Sequence, residues 1–256
     1  MIRQALAYLN FLWRSKNEYA VHSPFVYDLL MKCVYDRADF PQYEIMAHYR
    51  KSLLADTSTI EVKDFGAGSR KFRDNSRKVF EMAANAGSSE FRSRLLFRLT
   101  RYLAPQTILE LGTSLGIGTL SLALGNPAGE VTTVEGSNTA DYAREKLAGI
   151  VSNVTVVQLD FNTFIDNIPS EQKYDLVFFD GHHDRDATLH YFEKMKKTVQ
   201  EGTAWIFDDI HWSPGMESAW KTICQDPMVT VSIDTFRWGI VFFRSGQVKE
   251  HFVLRA

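Results

Sequence analysis

The chain has 256 residues, 45% of them hydrophobic and 23% charged, the composition of a globular protein long enough for one sizeable core plus an accessory segment, and not that of a disordered chain. Its formal net charge of −2 excludes a general attraction to polyanions, so no nucleic-acid partner is expected. Cys33 and Cys224 stand alone with no Cys-x-x-Cys pair, which argues against a disulfide framework or a zinc ribbon and for a reducing, cytoplasmic compartment.

The opening MIRQALAYLNFLWRSKNEYAVHSPF has no continuous apolar run ahead of a small-residue cleavage site, and no later segment is long and apolar enough to span a bilayer. No membrane association is expected. From Ile2 to about Ala55 apolar residues recur at helical spacing: Leu6, Leu9 and Trp13, then Phe25, Leu29, Leu30 and Cys33. Ser23 followed by Pro24 predicts a helix start, with a side-chain cap and proline at the first helical position. The stretch DFGAGSR, 64–70, follows only a weak alternation of Ile60, Val62 and Phe65 and leads to no acid-tipped strand, so it reads as a turn or lid element. Another helix is predicted from near Ser88 to Leu103, with Phe91, Leu95, Leu99 and Leu103 on one face. Residues 1–104 therefore read as a helical N-terminal extension and lid, and 105–256 as the core.

Beyond Pro105, short apolar strands alternate with longer amphipathic stretches, the pattern of a parallel sheet with crossover helices. The strands are TILEL, VTTVE, VTVVQ, YDLVFF and TAWIF, with helical runs at Asn138 to Ile150 and Ala187 to Val199 between them. MVTVSIDTF and WGIVFF are joined by too few residues for a crossover, which permits an antiparallel hairpin. The expected fold is α/β: a Rossmann-like doubly wound sheet, mostly parallel, with a reversed last strand.

LELGTSLGIGTL, Leu109 to Leu120, has what a nucleotide loop needs: a buried strand before the glycines and a helix after them. Its Gly112, Gly116 and Gly118 form Gly-x-x-x-Gly-x-Gly, not the Gly-x-Gly-x-x-Gly of dinucleotide sites, so no pyrophosphate is implied. About twenty residues past the first glycine VTTVE ends in Glu135, whose carboxylate can accept both ribose hydroxyls. Glu110, just before the loop, suits a ligand with a positive amino-acid moiety. S-adenosylmethionine has these properties.

LELGTSLGIGT, VTTVEGS, LDFNTF, YDLVFFDGHHD and AWIFDDIHWSPG resemble, in that order, the successive strand-end motifs of class I S-adenosylmethionine-dependent methyltransferases, over 105–243. The resemblance implies that Glu110 and the loop of Gly112, Thr113, Ser114, Gly116 and Gly118 hold the methionine part. Glu135, with Gly136 and Ser137 beside it, would bind the ribose, Asp160 and Phe161 would line the adenine pocket, and Asp180 would border the cofactor. Asp160 also reads as an N-cap for the run Phe161 to Ile168, which is compatible with adenine contact.

Asp180 follows the fourth strand, and Asp208 and Asp209 the fifth, so these carboxylates gather at one sheet edge. The arrangement is similar to divalent-metal-dependent O-methyltransferases acting on catechols, caffeoyl thioesters and some sugars. It implies magnesium or another divalent cation on Asp180, Asp208 and Asp209. Asp209 departs from the asparagine of the catechol-type enzymes, and the alternative for each acid is a helix cap or a bond to loop amides. His183 stands where catechol and caffeoyl-type enzymes carry lysine, while some sugar O-methyltransferases have Asp-Gly-x-His as here. It is the expected general base, against the alternative of a solvated loop histidine. His182 and His211 are weaker candidates, and Trp212 either borders the substrate or packs under its loop.

The implied reaction is methyl transfer to the hydroxyl of a small molecule. Transfer to nitrogen or RNA is disfavoured by DGHH where Asp/Asn-Pro-Pro-Tyr is usual. A non-catalytic cofactor-binding module and, third, a dinucleotide oxidoreductase stay open. Acceptor contacts are sought in VHSPFVYDLL, DFGAGSR and IHWSPGM, whose Phe25, Tyr27, Phe65 and Trp212 either line an apolar pocket or glue the extension to the core. A homodimer is compatible with the sequence.

Overall fold

A computed structural model describes residues 2–62, 76–85 and 89–255. DFGAGSR with Phe65, and the expected helix start at Ser88, lie outside the described residues. The N-terminal part is helical: α1 (Ile2–Arg14), α2 (Pro24–Leu29) running into a π-helical turn at Leu30–Val34, and α3 (Gln42–Ala55). Then come the antiparallel pair β1 (Thr59–Glu61) and β2 (Ser76–Lys78), α4 (Val79–Asn85) and α5 (Glu90–Leu103).

Two local expectations are corrected. Pro24 does open α2, but the Ser23 hydroxyl makes no cap bond. It accepts instead from Gln247 Nε2 at 3.5 Å. On α5, Phe91 is exposed and the buried face runs through Leu95, Leu96 and Leu99, so the residue that shares this face one turn earlier is Arg92. Ser89 caps the helix by accepting from the Arg92 amide at 3.3 Å.

The rest of the chain alternates strand and helix: β3 (Thr107–Leu111), α6 (Ile117–Gly125), β4 (Glu130–Val134), α7 (Thr139–Ala148), β5 (Val154–Val157), α8 (Phe161–Asp166), β6 (Leu176–Phe179), α9 (Arg185–Met195), β7 (Ala204–Phe207) and α10 (Pro214–Gln225). It finishes with β8 (Val231–Asp234), β9 (Gly239–Phe242) and β10 (Glu250–Val253). The sheet order is β10-β8-β9-β7-β6-β3-β4-β5. β8 and β9 form the expected antiparallel hairpin, and β9 is the reversed strand, antiparallel to β7 as well. It lies inside the sheet; the edge is β10, parallel to β8 and absent from the sequence reading. β10 is a four-residue edge strand with no fully buried position, so it carries no apolar alternation to read.

Period-two alternation sorts the buried strand residues onto two faces. Ile108, Val131, Leu176, Phe178, Ala204, Ile206, Ile240 and Phe242 meet α2, α5 and α6, where Val26, Leu29, Leu95, Leu96, Leu99 and Leu122 complete the cluster. Leu109, Leu111, Val177, Phe179, Trp205, Phe207 and Val241 meet α8, α9 and α10 through Ile165, Phe192, Met195 and Trp220. Residues on both sides of position 104 thus share one core, and each fully buried leucine contributes about 2 kcal/mol. Phe25 sits edge-on to Phe242 at 4.9 Å between ring centres, which is the gluing alternative for that residue. α3 and α4 pack on α6 and α7 through Tyr49, Leu53, Met82, Leu120 and Leu147.

Candidate cofactor and catalytic site

Strand register assembles the site. Leu111 is opposite Val134 on one side and Phe179 on the other, and Phe179 is opposite Phe207. The next residue of each strand therefore falls into one row: Glu135, Gly112, Asp180 and Asp208. Backbone bonds hold the row, with Gly112 N donating to Val134 O, Asp180 N to Leu111 O and Asp208 N to Phe179 O, each at 2.9 Å. Because β9 runs the other way with Gly239 opposite Phe207, Trp238 completes the row beside Asp208.

Only glycine fits at position 112: φ is +116° and a Cβ would lie 2.1 Å from the Asp180 carbonyl oxygen. That absence of a side chain lets the tips of β3 and β6 approach. The loop then closes on Glu135, whose Oε2 accepts from Ser114 N at 3.0 Å and whose Oε1 accepts from Ser137 N at 3.0 Å and Ser137 Oγ at 2.9 Å. Gly136 lies between, half-buried. Thr113 is buried and shares a 2.6 Å hydrogen bond with Thr133. Gly116 starts α6 in the left-handed region, with the Tyr49 hydroxyl 3.0 Å from where its Cβ would be. Tyr49 in turn donates to Leu115 O at 2.7 Å, so α3 braces the loop.

Glu110 lies under the loop, fully buried, and accepts from Thr119 Oγ1 at 2.5 Å and Thr133 Oγ1 at 2.6 Å. Its Oε1 is buried without a hydrogen-bond partner. Burial pushes its pKa up to about 7, and the nearby charge of Glu135 adds to the rise.

Asp160 is the cap of α8, accepting from Thr163 N at 3.0 Å and Thr163 Oγ1 at 2.5 Å, and these bonds hold its pKa below the ordinary carboxylate range. Phe161 is buried beneath Gly181, whose Cβ would come within 2.6 Å of the ring. His182 lies on Phe161, 5.0 Å between ring centres, and bonds the Tyr191 hydroxyl at 2.6 Å. Burial lowers its pKa, so His182 belongs to the packing.

Of the expected acids the fold gathers two. Asp180, Asp208 and His183 each offer a donor atom within 4.8 Å of the others, and His183 Nε2 is 3.9 Å from Asp180 Oδ1. Burial, then the charge of Asp208 within hydrogen-bonding reach, raises the Asp180 pKa well above its ordinary value. Asp209 is outside this group. With φ of +51°, its backbone turns the carboxylate toward Arg237 Nη1 at 3.4 Å. His183 is 28% exposed and borders a narrow crevice with Phe161, Gly181, Thr188, Asp208 and Met216.

His211 stands apart from the Asp180 group. It bonds Asp234 at 2.9 Å and Glu217 at 3.4 Å, with Phe236 stacked on its ring at 5.1 Å. Burial pulls its pKa down, but Asp234 and Glu217 together outweigh that and raise it. Arg3 of α1 joins this network at Glu217, 2.9 Å away, and donates to the Trp212 carbonyl at 3.3 Å. The IHWSPGM segment is thus partly spent on anchoring α1.

Sequence reasoning missed Arg92 and Trp238. Arg92 Nη1 donates to Asp208 Oδ1 at 3.2 Å and Oδ2 at 3.4 Å, and Trp238 Nε1 donates to Oδ1 at 2.7 Å. The available signal was an arginine three and four residues before Leu95 and Leu96, on the apolar face of a predicted helix.

Residues 109–210 match the family described as Methyltransferase domain. The chain is 26% identical over 134 residues to the caffeoyl-CoA O-methyltransferase of Stellaria longipes, covering 49% of this chain and 55% of that protein. It therefore spans just over half the length of the curated relative it matches. It resembles the SAH-bound methyltransferase of Podospora anserina with a TM-score of 0.59 at 15% identity, covering 88% of this chain and 96% of that one. The O-methyltransferase from Bacillus cereus in complex with SAH gives a TM-score of 0.52 at 20% identity over 84% and 98%. At such identities the likeness is one of fold. Residues 109–210 thus resemble a methyltransferase domain, and the mostly parallel sheet with helices on both faces is the fold of these solved structures.

Proposed function

We propose that this protein transfers the methyl group of S-adenosylmethionine to a hydroxyl of a small molecule, with His183 as general base. One observation carries the proposal: Glu135, Gly112 and Asp180 follow in-register strands in one row, with the partly exposed His183 beside Asp180 at the crevice. Glu135 Oε2 accepts one bond, from the Ser114 amide, and keeps a lone pair for a ribose hydroxyl. Asp180 and the loop would border the methionine part, and Asp160 and Phe161 the adenine side.

In the reaction an acceptor oxygen attacks the methyl carbon in line with the departing sulfur. The C–S electron pair stays on sulfur, giving S-adenosylhomocysteine, and the hydroxyl proton passes to His183 Nε2. Charge is neutralised as the step proceeds, so alignment and proton removal carry the catalysis. Asp180, 3.9 Å from Nε2, stabilises the imidazolium that results when it is itself ionised.

The family resemblance adds magnesium or another divalent ion. Asp180, His183 and Asp208 are suitable donor types, but the charge of the site does not fit. Asp208 is already paired with Arg92 and bonded to Trp238, and Asp209 faces Arg237. Asp208 and Asp209 thus each face a guanidinium, and no step is routed through a metal.

A homodimer and a cytoplasmic setting belong to the same proposal, supported by the apolar stripe that Leu6, Leu9 and Trp13 leave exposed on α1 and by two thiols outside any disulfide. Among the described residues no helix is long and apolar enough to cross a membrane.

The test is calorimetric titration with S-adenosylmethionine followed by turnover on a panel of hydroxylated acceptors. His183→Ala should lower kcat by about 100- to 10,000-fold with cofactor affinity unchanged. Cofactor binding without turnover on any acceptor would favour a non-catalytic module, and full activity in His183→Ala would remove the base.

A further inference from the structure

Arg92 enters the acidic cluster from the extension, and local helix energetics do not explain its position. It is the third residue of α5, after the Ser89 cap, where the helix dipole disfavours a positive charge. Leu95, Leu96 and Leu99 follow on the same face, all buried against the sheet. That packing lowers the start of α5 onto the end of β7, whose Ala204 and Ile206 lie in the same cluster and whose next residue of that parity is Asp208. The Arg92 side chain is 21% exposed and that of Asp208 6%, so the pair is poorly screened by water.

The consequence for Asp208 is saturation. Oδ1 accepts from both Arg92 and the Trp238 indole, while Oδ2 faces Arg92 as well. A carboxylate oxygen offers two lone pairs, so Oδ1 has none left for an ion. A dication bound through Oδ2 would lie within a few ångströms of the guanidinium, in a site too dry to weaken the repulsion.

We propose that Arg92 is the resident cation of this site: at Asp208 it takes the charge role of a divalent ion, excludes such an ion, and leaves methyl transfer independent of metal. This rests on reading the site as one of methyl transfer, but its exclusion of the ion is measurable without turnover. A second consequence is that the extension, through α5, supplies part of the electrostatics of the sheet edge.

The experiment is Mn2+ binding followed by electron paramagnetic resonance on the full chain, for wild type, R92K, R92M, R92Q and R92M/D208N. Wild type and R92K should leave the free Mn2+ signal intact at micromolar metal. R92M and R92Q should bind one ion at least about tenfold more tightly, and D208N in the R92M background should abolish that binding. R92K separates the charge from a merely structural arginine. A wild-type far-ultraviolet circular dichroism spectrum and a cooperative thermal transition serve as the check that each variant is folded. Wild type binding one Mn2+ as tightly as the neutral variants would overturn the proposal, as would folded neutral variants that bind no better than wild type. If neither neutral variant folds, wild type alone decides: micromolar Mn2+ binding, or turnover lost in EDTA and restored by Mg2+, overturns the assignment. Failure of the methyl-transfer reading would instead appear as missing cofactor binding or turnover, with the Mn2+ pattern unaffected.

Discussion

The amide of Ser114 donates to Glu135 Oε2 at 3.0 Å, so the tip of β4 holds the glycine loop of β3 in place before any ligand arrives. Glu135→Ala removes both that anchor and the proposed ribose acceptor. S-adenosylmethionine affinity should fall at least about tenfold, the effect of one lost charge-assisted bond. Glu135→Gln should fall between the two, since its amide cannot accept from both Ser114 and Ser137. Titration calorimetry decides, and wild-type affinity in Glu135→Ala would take Glu135 out of the cofactor site.

Burial of Glu110 predicts a pH dependence of stability. Its pKa rises from 4.5 to about 7 on folding. The folded protein therefore keeps a proton that the unfolded chain releases between those values, and stability falls as pH rises through this window. The full effect is about 3 kcal/mol, and it should be missing from Glu110→Gln, which stays neutral and still accepts from Thr119 and Thr133. Urea unfolding of both proteins at about pH 5 and about pH 8 reads the difference. Equal slopes in the two proteins would show that Glu110 titrates normally.

The stripe on α1 makes a prediction about assembly. Leu6, Leu9 and Trp13 are 62%, 61% and 89% exposed, while Phe11 of the same helix is buried and packs on Phe236 at 5.4 Å between ring centres. A second copy of the chain covering this stripe would account for its apolar character. Wild type should sediment as a dimer, and Leu9→Glu with Trp13→Glu as a monomer that still binds S-adenosylmethionine. A monomeric wild type would end the homodimer proposal.

Some of the site was legible because it is written in local pattern. Each strand of the row is a short apolar run, and the polar residue after it marks the sheet edge. TILEL, VTTVE, YDLVFF and TAWIF thus announced Gly112, Glu135, Asp180 and Asp208 as neighbours, and register put them side by side. Asp160 was readable as a helix start and caps α8, whereas the cap of α10, Ser213 accepting from Met216 N at 3.1 Å, was not read from the sequence. At Ser23–Pro24 the helix start was legible but the side-chain cap was not, because a contact from distant Gln247 takes the hydroxyl.

Local pattern was therefore enough for the sheet, its glycine loop and the list of groups at its edge, because strand period and strand end are properties of neighbouring residues. How those groups are partnered emerged from long-range packing alone. Asp209 turns to Arg237 through a left-handed backbone, Glu110 sinks beneath the loop it precedes, and Asp208 receives Arg92 from 116 positions away. The reason is physical: a side chain at a strand tip is completed by whichever helix packs across it, and that choice is made by burial of apolar faces far apart in the chain, such as Leu95 and Leu96 on Ile206.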